Sequence, residues 1–223
     1  MSILEPLQSV LDEACALLLF DLIAKDLYQH GYSVQTNALP AELAALLAAE
    51  LRLLPADHFK KAGIGRDQQH ILKPLLRGDH ISWITGNTQV NQAWLEWAGS
   101  LQQALNQRLL LGLFSFESHF AHYAIGDVYT KHQDAFKGET NRVLSLVTYL
   151  NPNWNDADGS QLVLYPQDMN KDGLQVSPCL ATLVVFLSED VPHEVLAALG
   201  DRFSIAGWFS VNNTPVIWPI PKG

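Results

Sequence analysis

The feature that most constrains this chain is a change of hydrophobic period near Gly112. Before it, apolar residues recur at helical spacing; after it, they alternate along short stretches broken by turn residues. Over 10–30, Leu11, Ala14, Cys15, Leu18, Leu19, Leu22 and Ile23 fall on a helical stripe and Gly31 supplies the stop. Residues 32–36 alternate like a short strand. Pro40 opens a second helix over 41–54, rich in Ala, Leu and Glu, which Pro55 ends. A third helix is expected over 90–110. Strands are expected at 113–124, 143–150, 160–166, 181–188, 193–198 and 202–210. Turn signals divide them at Ile125-Gly126-Asp127, Asn151-Pro152-Asn153, Asp158-Gly159 and Leu199-Gly200-Asp201. Many short strands with few helices between them predict an antiparallel sandwich or barrel. The expected class is therefore α+β, with helical support over 1–111 and a β core over 112–211, and 223 residues suit one large domain.

Two stretches escape both periods. Residues 56–80 contain Gly63, Gly65, Pro74 and Gly78, and a stretch of that length without regular structure is expected to be a functional lid. The tail, 214–223, carries three prolines and is expected to pack as an extended edge.

Composition narrows the function classes. Hydrophobic residues are 48% and charged residues 17%, enough to fill a core and too apolar for a disordered chain. The formal net charge of −9 weighs against a nucleic-acid or anionic-membrane surface, which needs clustered Lys and Arg. No apolar run reaches the roughly 18 residues of a membrane-spanning helix. The apolar stretch 14–24 contains Asp21 and follows Asp12 and Glu13 instead of a basic region, so a mature cytoplasmic chain is expected. Cys15 and Cys179 are far apart, with no CxxC, and read as two reduced thiols.

Among eight histidines, one has a carboxylate two positions on: His132-Gln133-Asp134. Composition alone yields roughly 0.5 such His-x-Asp pairs, so the pair needs its setting. In an extended segment residues i and i+2 share a side, and this imidazole and carboxylate could meet one metal ion. His193, on a later strand, offers a third ligand. Two imidazoles and one carboxylate leave open positions on the metal, as in non-haem Fe(II) oxygenases. Nine residues further, Arg202 could hold a carboxylate through both guanidinium arms inside an apolar barrel. The alternatives are a hydrogen-bonded structural role for each histidine and an ion pair of Arg202 with Asp201 or Glu194. His119 and His122, three apart on one strand, face opposite sides and read as packing residues or residues behind the ligands.

These residues sit in text that resembles the 2-oxoglutarate and Fe(II)-dependent dioxygenases, in the prolyl 4-hydroxylase branch. Within that branch the chain most resembles the hypoxia-inducible-factor prolyl hydroxylases and their bacterial homologues. The resemblance covers roughly 59–209 and rests on HYAIGDVYTKHQD, RVLSLVTYLNPNW, DGSQLVLYP, VPHEV and DRFSIAGWF, with RGDHISWI matching an earlier RGD-x-I-x-W segment. It implies a double-stranded β-helix, or jelly roll, supported by the N-terminal helices. His132, Asp134 and His193 match the iron ligands. Arg202 and Tyr149 match the residues holding the distal carboxylate of 2-oxoglutarate, and Tyr123 matches a tyrosine near the iron and cosubstrate. Leu162, Val195 and Trp208 match pocket walls. Arg142, Asp79, Arg77 and Trp83 fall where the family shapes its peptide entrance.

The chemistry the resemblance implies uses Fe(II), 2-oxoglutarate and O2, with ascorbate as an accessory, and releases succinate and CO2. The implied partner is a protein presenting a proline in a flexible loop, such as an elongation factor, with free proline or another small molecule as the alternative; no nucleic acid or membrane is involved. The sequence departs from the family in three places. Ala206 stands where eukaryotic members often carry Thr, the segment before His132 is one residue shorter, and Gly159-Ser160 replaces a pair of glycines.

Overall fold

The computed structural model describes residues 4–62, 77–135, 141–167 and 172–212, and side chains of the first helix from Ala14 onward. Three α-helices lie in the first half among the described residues: α1 (Leu4–His30), α2 (Ala41–Leu53) and α3 (Gln89–Leu109). Gly31, at φ +75°, ends α1 in a conformation that costs other residues a steric clash. Pro40 precedes α2 as its N-cap residue. Thr88 caps α3 by accepting the Asn91 amide, a bond of about 1 kcal/mol. No described helix is long and apolar enough to cross a membrane.

Eleven strands follow in chain order among the described residues: β1 (Tyr32–Gln35), β2 (Lys60–Lys61), β3 (His80–Trp83), β4 (Leu113–Tyr123), β5 (Tyr129–His132), β6 (Arg142–Tyr149), β7 (Leu162–Leu164), β8 (Leu174–Val176), β9 (Leu183–Leu187), β10 (His193–Val195) and β11 (Arg202–Val211). They form a seven-stranded sheet, β1-β9-β6-β11-β4-β3-β2, and a four-stranded sheet, β5-β10-β7-β8, with every pair antiparallel. This is the double-stranded β-helix. The division at residue 111 is less clean than the change of period suggests. β1, β2 and β3 come from the helical half yet complete the large sheet, because their backbones pair with β9 and β4.

Period two in the large sheet separates two cores. On β11, Phe203, Ile205 and Phe209 face the helices, while Arg202, Ser204, Ala206 and Trp208 face the small sheet. β6 divides likewise, with Leu144 and Leu146 toward the helices and Tyr149 toward the small sheet. The helix-side core centres on Trp94, fully buried, stacked on Trp97 at 5.7 Å and donating its Nε1–H to Ser118 at 3.0 Å. Such a buried, hydrogen-bonded aromatic fixes the depth at which α3 lies on the sheet. The second core, between the sheets, includes Tyr123, Tyr149, Leu162, Phe186 and Val195, and the functional cleft opens from it.

Of the stretch expected as a lid, 63–76 lies outside the described residues, as does the proline-rich tail from 213 onward. Within the described part of that stretch, residues 56–58 form a short 3-10 turn and β2 pairs with β3. Cys15 and Cys179 are both free and exposed.

Candidate metal centre and cosubstrate pocket

Between the sheets lies a narrow cleft lined by His132, Asp134, His193, Tyr123 and Arg202. His132 ends β5 and His193 begins β10, directly opposite it in register. Asp134 does not lie in the strand, as the i, i+2 argument supposed; it sits two residues past the end of β5, in a bend. The three side chains nevertheless converge, with one donor atom from each within 4.8 Å of the others. Asp134 Oδ1 stands 3.5 Å from His132 Nε2 and 3.8 Å from His193 Nε2.

The surrounding bonds leave those atoms free for a cation. His132 Nδ1–H donates to Thr130 O at 2.8 Å, and His193 Nδ1–H donates to Val191 O at 3.2 Å. With each proton on Nδ1, both Nε2 lone pairs face the cleft. His132 Nε2 is buried and has no hydrogen-bond partner. Asp134 Oδ2 accepts from Ser145 at 2.6 Å and from Trp208 Nε1 at 2.9 Å, which turns Oδ1 toward the imidazoles. Ser145 and Trp208 are direct cross-strand partners of β6 and β11, so sheet register aims two donors at one oxygen. Ser188 in turn bonds the Ser145 hydroxyl at 2.9 Å.

Burial opposes ionisation of Asp134, but its electrostatic interaction with His193, its contact with His132 and the Ser145 hydrogen bond outweigh it, holding the carboxyl well below its usual range. Burial first, opposed by Asp134, pulls His193 down to about 4, so its imidazole is neutral at physiological pH. Two imidazoles and one carboxylate are a donor set for a divalent transition metal, and the unpartnered His132 Nε2 fits that ion.

Deeper in the cleft, Arg202 is 2% exposed. It donates to Ser204 at 2.9 Å, and its Cζ lies 4.7 Å over the Tyr123 ring and 5.0 Å over the Tyr149 ring. Among the described residues no carboxylate pairs with it: Asp201 bonds His122, and Glu194 accepts from Tyr165. Arg202 Nε and the Tyr149 hydroxyl are buried without partners. Burial raises the Tyr149 phenol, and burial with Asp79 raises that of Tyr123, so both stay protonated. A buried guanidinium beside the unused Tyr149 hydroxyl is a carboxylate receptor. Leu162, Val195 and Trp208 line the same cleft.

The residues assigned to the entrance divide. Trp83 is 51% exposed, edge-on to His119 at 5.2 Å. Arg142 covers the Trp208 indole at 3.8 Å and pairs with Glu117 at 2.7 Å. Asp79 is wholly buried and ion-paired to Arg77, so it presents no surface to an incoming chain. Sequence reasoning missed Tyr129, Ser145 and Ser188. None carries a spacing signal, because each meets the site through a bulge or a cross-strand neighbour. His119, read as packing, is buried and also lines the cleft.

A double-stranded β-helix that turns two imidazoles and a carboxylate onto one point, above a buried arginine, is the frame of a metal-dependent oxygenase. Residues 118–210 match the sequence model of the 2OG-Fe(II) oxygenase superfamily. The structure resembles that of a Pseudomonas putida prolyl-4-hydroxylase, with TM-score 0.78 and 39% identity, covering 87% of this chain and 99% of that one. It also resembles a Trichoplax adhaerens prolyl hydroxylase in complex with a hypoxia-inducible-factor oxygen degradation domain peptide, with TM-score 0.78 and 27% identity over 89% of this chain and 92% of that one. Human Egl nine homolog 1 is 24% identical over 204 residues, 86% of this chain and 46% of its own length, so this chain spans about half of that relative. The chain belongs to the 2OG-Fe(II) oxygenase superfamily, among relatives that are prolyl hydroxylases.

Proposed function

We propose that this protein hydroxylates a prolyl residue of a target protein, using Fe(II), 2-oxoglutarate and O2. The observation that carries the reading is the pairing of two unsatisfied sets in one cleft: three inward-facing donor atoms, and behind them a guanidinium with no carboxylate partner among the described residues, its Nε and the Tyr149 hydroxyl left without a hydrogen bond. His132, Asp134 and His193 would hold the iron. With 2-oxoglutarate bound, that centre supplies the oxidising power: one oxygen atom of O2 enters the prolyl C–H bond, the other enters succinate, and CO2 leaves. The chain's own part is positional. Arg202 and the Tyr149 and Tyr123 hydroxyls set the depth of the cosubstrate through its distal carboxylate. Leu162 and Val195 exclude water from its carbon chain. Ser145 and Trp208 hold Asp134 so that a single oxygen faces the ion.

A protein substrate is favoured by the relatives, one of which was solved with a peptide. Trp83 and Arg142 pack on His119 and Trp208 of the cleft wall, a surface that suits a flexible loop. A proline in a translation component such as an elongation factor, in the cytoplasm, is the finer assignment, and it rests on resemblance. The test is incubation with Fe(II), 2-oxoglutarate and ascorbate against proline-containing peptides, free proline and single-stranded DNA. A gain of one oxygen on a peptide, matched by succinate, is expected. Turnover confined to free proline would overturn the protein substrate, and absence of succinate under every condition would overturn the activity.

A further inference from the structure

The role given to the triad leaves one buried ion pair unexplained. Arg77 donates Nε–H to Asp79 Oδ1 at 2.6 Å and an Nη2–H to Oδ2 at 3.0 Å, with side chains 14% and 1% exposed. Buried pairs of this kind are weak evidence for stability, since apolar residues often serve as well. Its placement is more informative. Arg77 Cζ lies 4.7 Å over the Tyr129 ring, and that ring stacks on the His132 imidazole with centroids 3.5 Å apart and planes 17° apart. The guanidinium and the imidazole therefore both pack on the Tyr129 ring.

The backbone repeats this line. Arg77 pairs antiparallel with Tyr129, and Gly78 N–H donates to Val128 O at 3.0 Å. The approach is close enough that a Cβ at Gly78 would stand 2.4 Å from Asp127 Oδ1. Three residues apart on a regular strand, Tyr129 and His132 would face opposite sides. The register of β5 shifts against β10, His193 facing His132 and Val195 facing Tyr129, and the extra residue brings both rings to one side. The Nδ1–H bond to Thr130 anchors one edge of the His132 ring, and the stack fixes its plane.

We infer that Asp79, Arg77 and Tyr129 form a positioning line that sets the plane of the His132 imidazole, and so govern metal affinity without touching the peptide. The inference rests on His132 holding the metal. Metal-free wild type and the variants Arg77→Lys, Tyr129→Leu and Tyr129→Phe are titrated with Mn(II), with free ion followed by electron paramagnetic resonance. Arg77→Lys keeps the charge but not the planar fork, and together with Tyr129→Leu it should weaken Mn(II) binding about tenfold, the low end for groups that orient a ligand. Tyr129→Phe keeps the ring and should bind as wild type does. The double variant Arg77→Lys, Tyr129→Leu should bind no more weakly than the weaker single variant, because both act through one ring. Circular dichroism at the assay temperature confirms that each variant is folded; Arg77→Lys retains a partner for Asp79. Wild-type affinity in both Arg77→Lys and Tyr129→Leu would overturn the inference. So would a raised KM for peptide with Mn(II) affinity unmoved, which would make Arg77 a substrate contact. If wild type itself binds no Mn(II), the metal assignment fails, a different result from failure of the line.

Discussion

At the scale of single residues, the site is built from polar atoms whose partners are fixed on one side and missing on the other. Ser145 illustrates the fixed side: its hydroxyl and the Trp208 indole occupy Asp134 Oδ2. Removing the hydroxyl by Ser145→Ala should let the carboxylate rotate and weaken metal affinity by about 10- to 100-fold, read by Mn(II) titration, with secondary structure unchanged. Arg202 illustrates the missing side. A buried cation with no acidic partner lowers stability until a ligand arrives. Arg202→Met should therefore raise the melting temperature of the ligand-free protein while weakening 2-oxoglutarate about a hundredfold, the loss of a charge-assisted bond of about 3 kcal/mol. Calorimetry of binding and of unfolding reads both signs, and a less stable Arg202→Met protein that still binds 2-oxoglutarate would refute the assignment. The triad residues and Arg202 were legible in the sequence because each is a reactive type embedded in a recognisable segment. The burial of Asp79 was not legible, because sequence gives a carboxylate no sign of burial, and charged residues are rarely buried unless paired.

At the scale of elements, the long pieces were legible, as were the short strands β1, β7 and β10, expected at 32–36, 160–166 and 193–198, while β2, β3, β5 and β8 were not. α1 and α3 span enough turns for a stripe to emerge, and β4 and β11 enough residues for alternation. β5 and β8 have four and three residues, too few to show a period, yet β5 carries one of the two histidines. The bulge in β5 is invisible to any periodic reading, since it is defined by the strand opposite. Gly78 marks a related constraint, the docking of residues 77–80 on the segment before β5. Gly78→Ala places a methyl against the Asp127 carboxylate. The expected result is a loss of about 1–3 kcal/mol in denaturant unfolding, as for other overpacked sites. Because Asp127 Oδ2 also accepts the Ala124 amide at 2.9 Å, the turn between β4 and β5 should loosen with it, seen as faster amide exchange over 124–129. A neutral Gly78→Ala variant would mean that the close approach is not needed.

At the scale of the whole molecule, the cleft is held between two sheets by groups that are neutral because they are buried, and this links folding to pH. His119 lies on β4 facing Trp83 and Trp208, 1% exposed, with Nδ1 at 3.2 Å from Phe120 O. Burial pulls its pKa down to about 4; Arg77 lowers it further and Asp79 opposes them. An unfolded histidine titrates near 6.5. As pH falls below that value the unfolded chain takes up a proton that folded His119 refuses, so unfolding gains ground until the folded group also titrates near pH 4. The stability lost across this window from His119 alone is about 3 kcal/mol, full above pH 6.5 and gone below 4. Metal-free protein should therefore melt progressively lower between those limits. His119→Leu, which has nothing to protonate, should follow a shallower curve and match or exceed wild type at pH 4.5. Denaturant unfolding at half-unit steps of pH measures it. Parallel curves for the two proteins would mean that His119 is open to solvent, and that the inner wall of the cleft is wetter than its packing between two tryptophans implies.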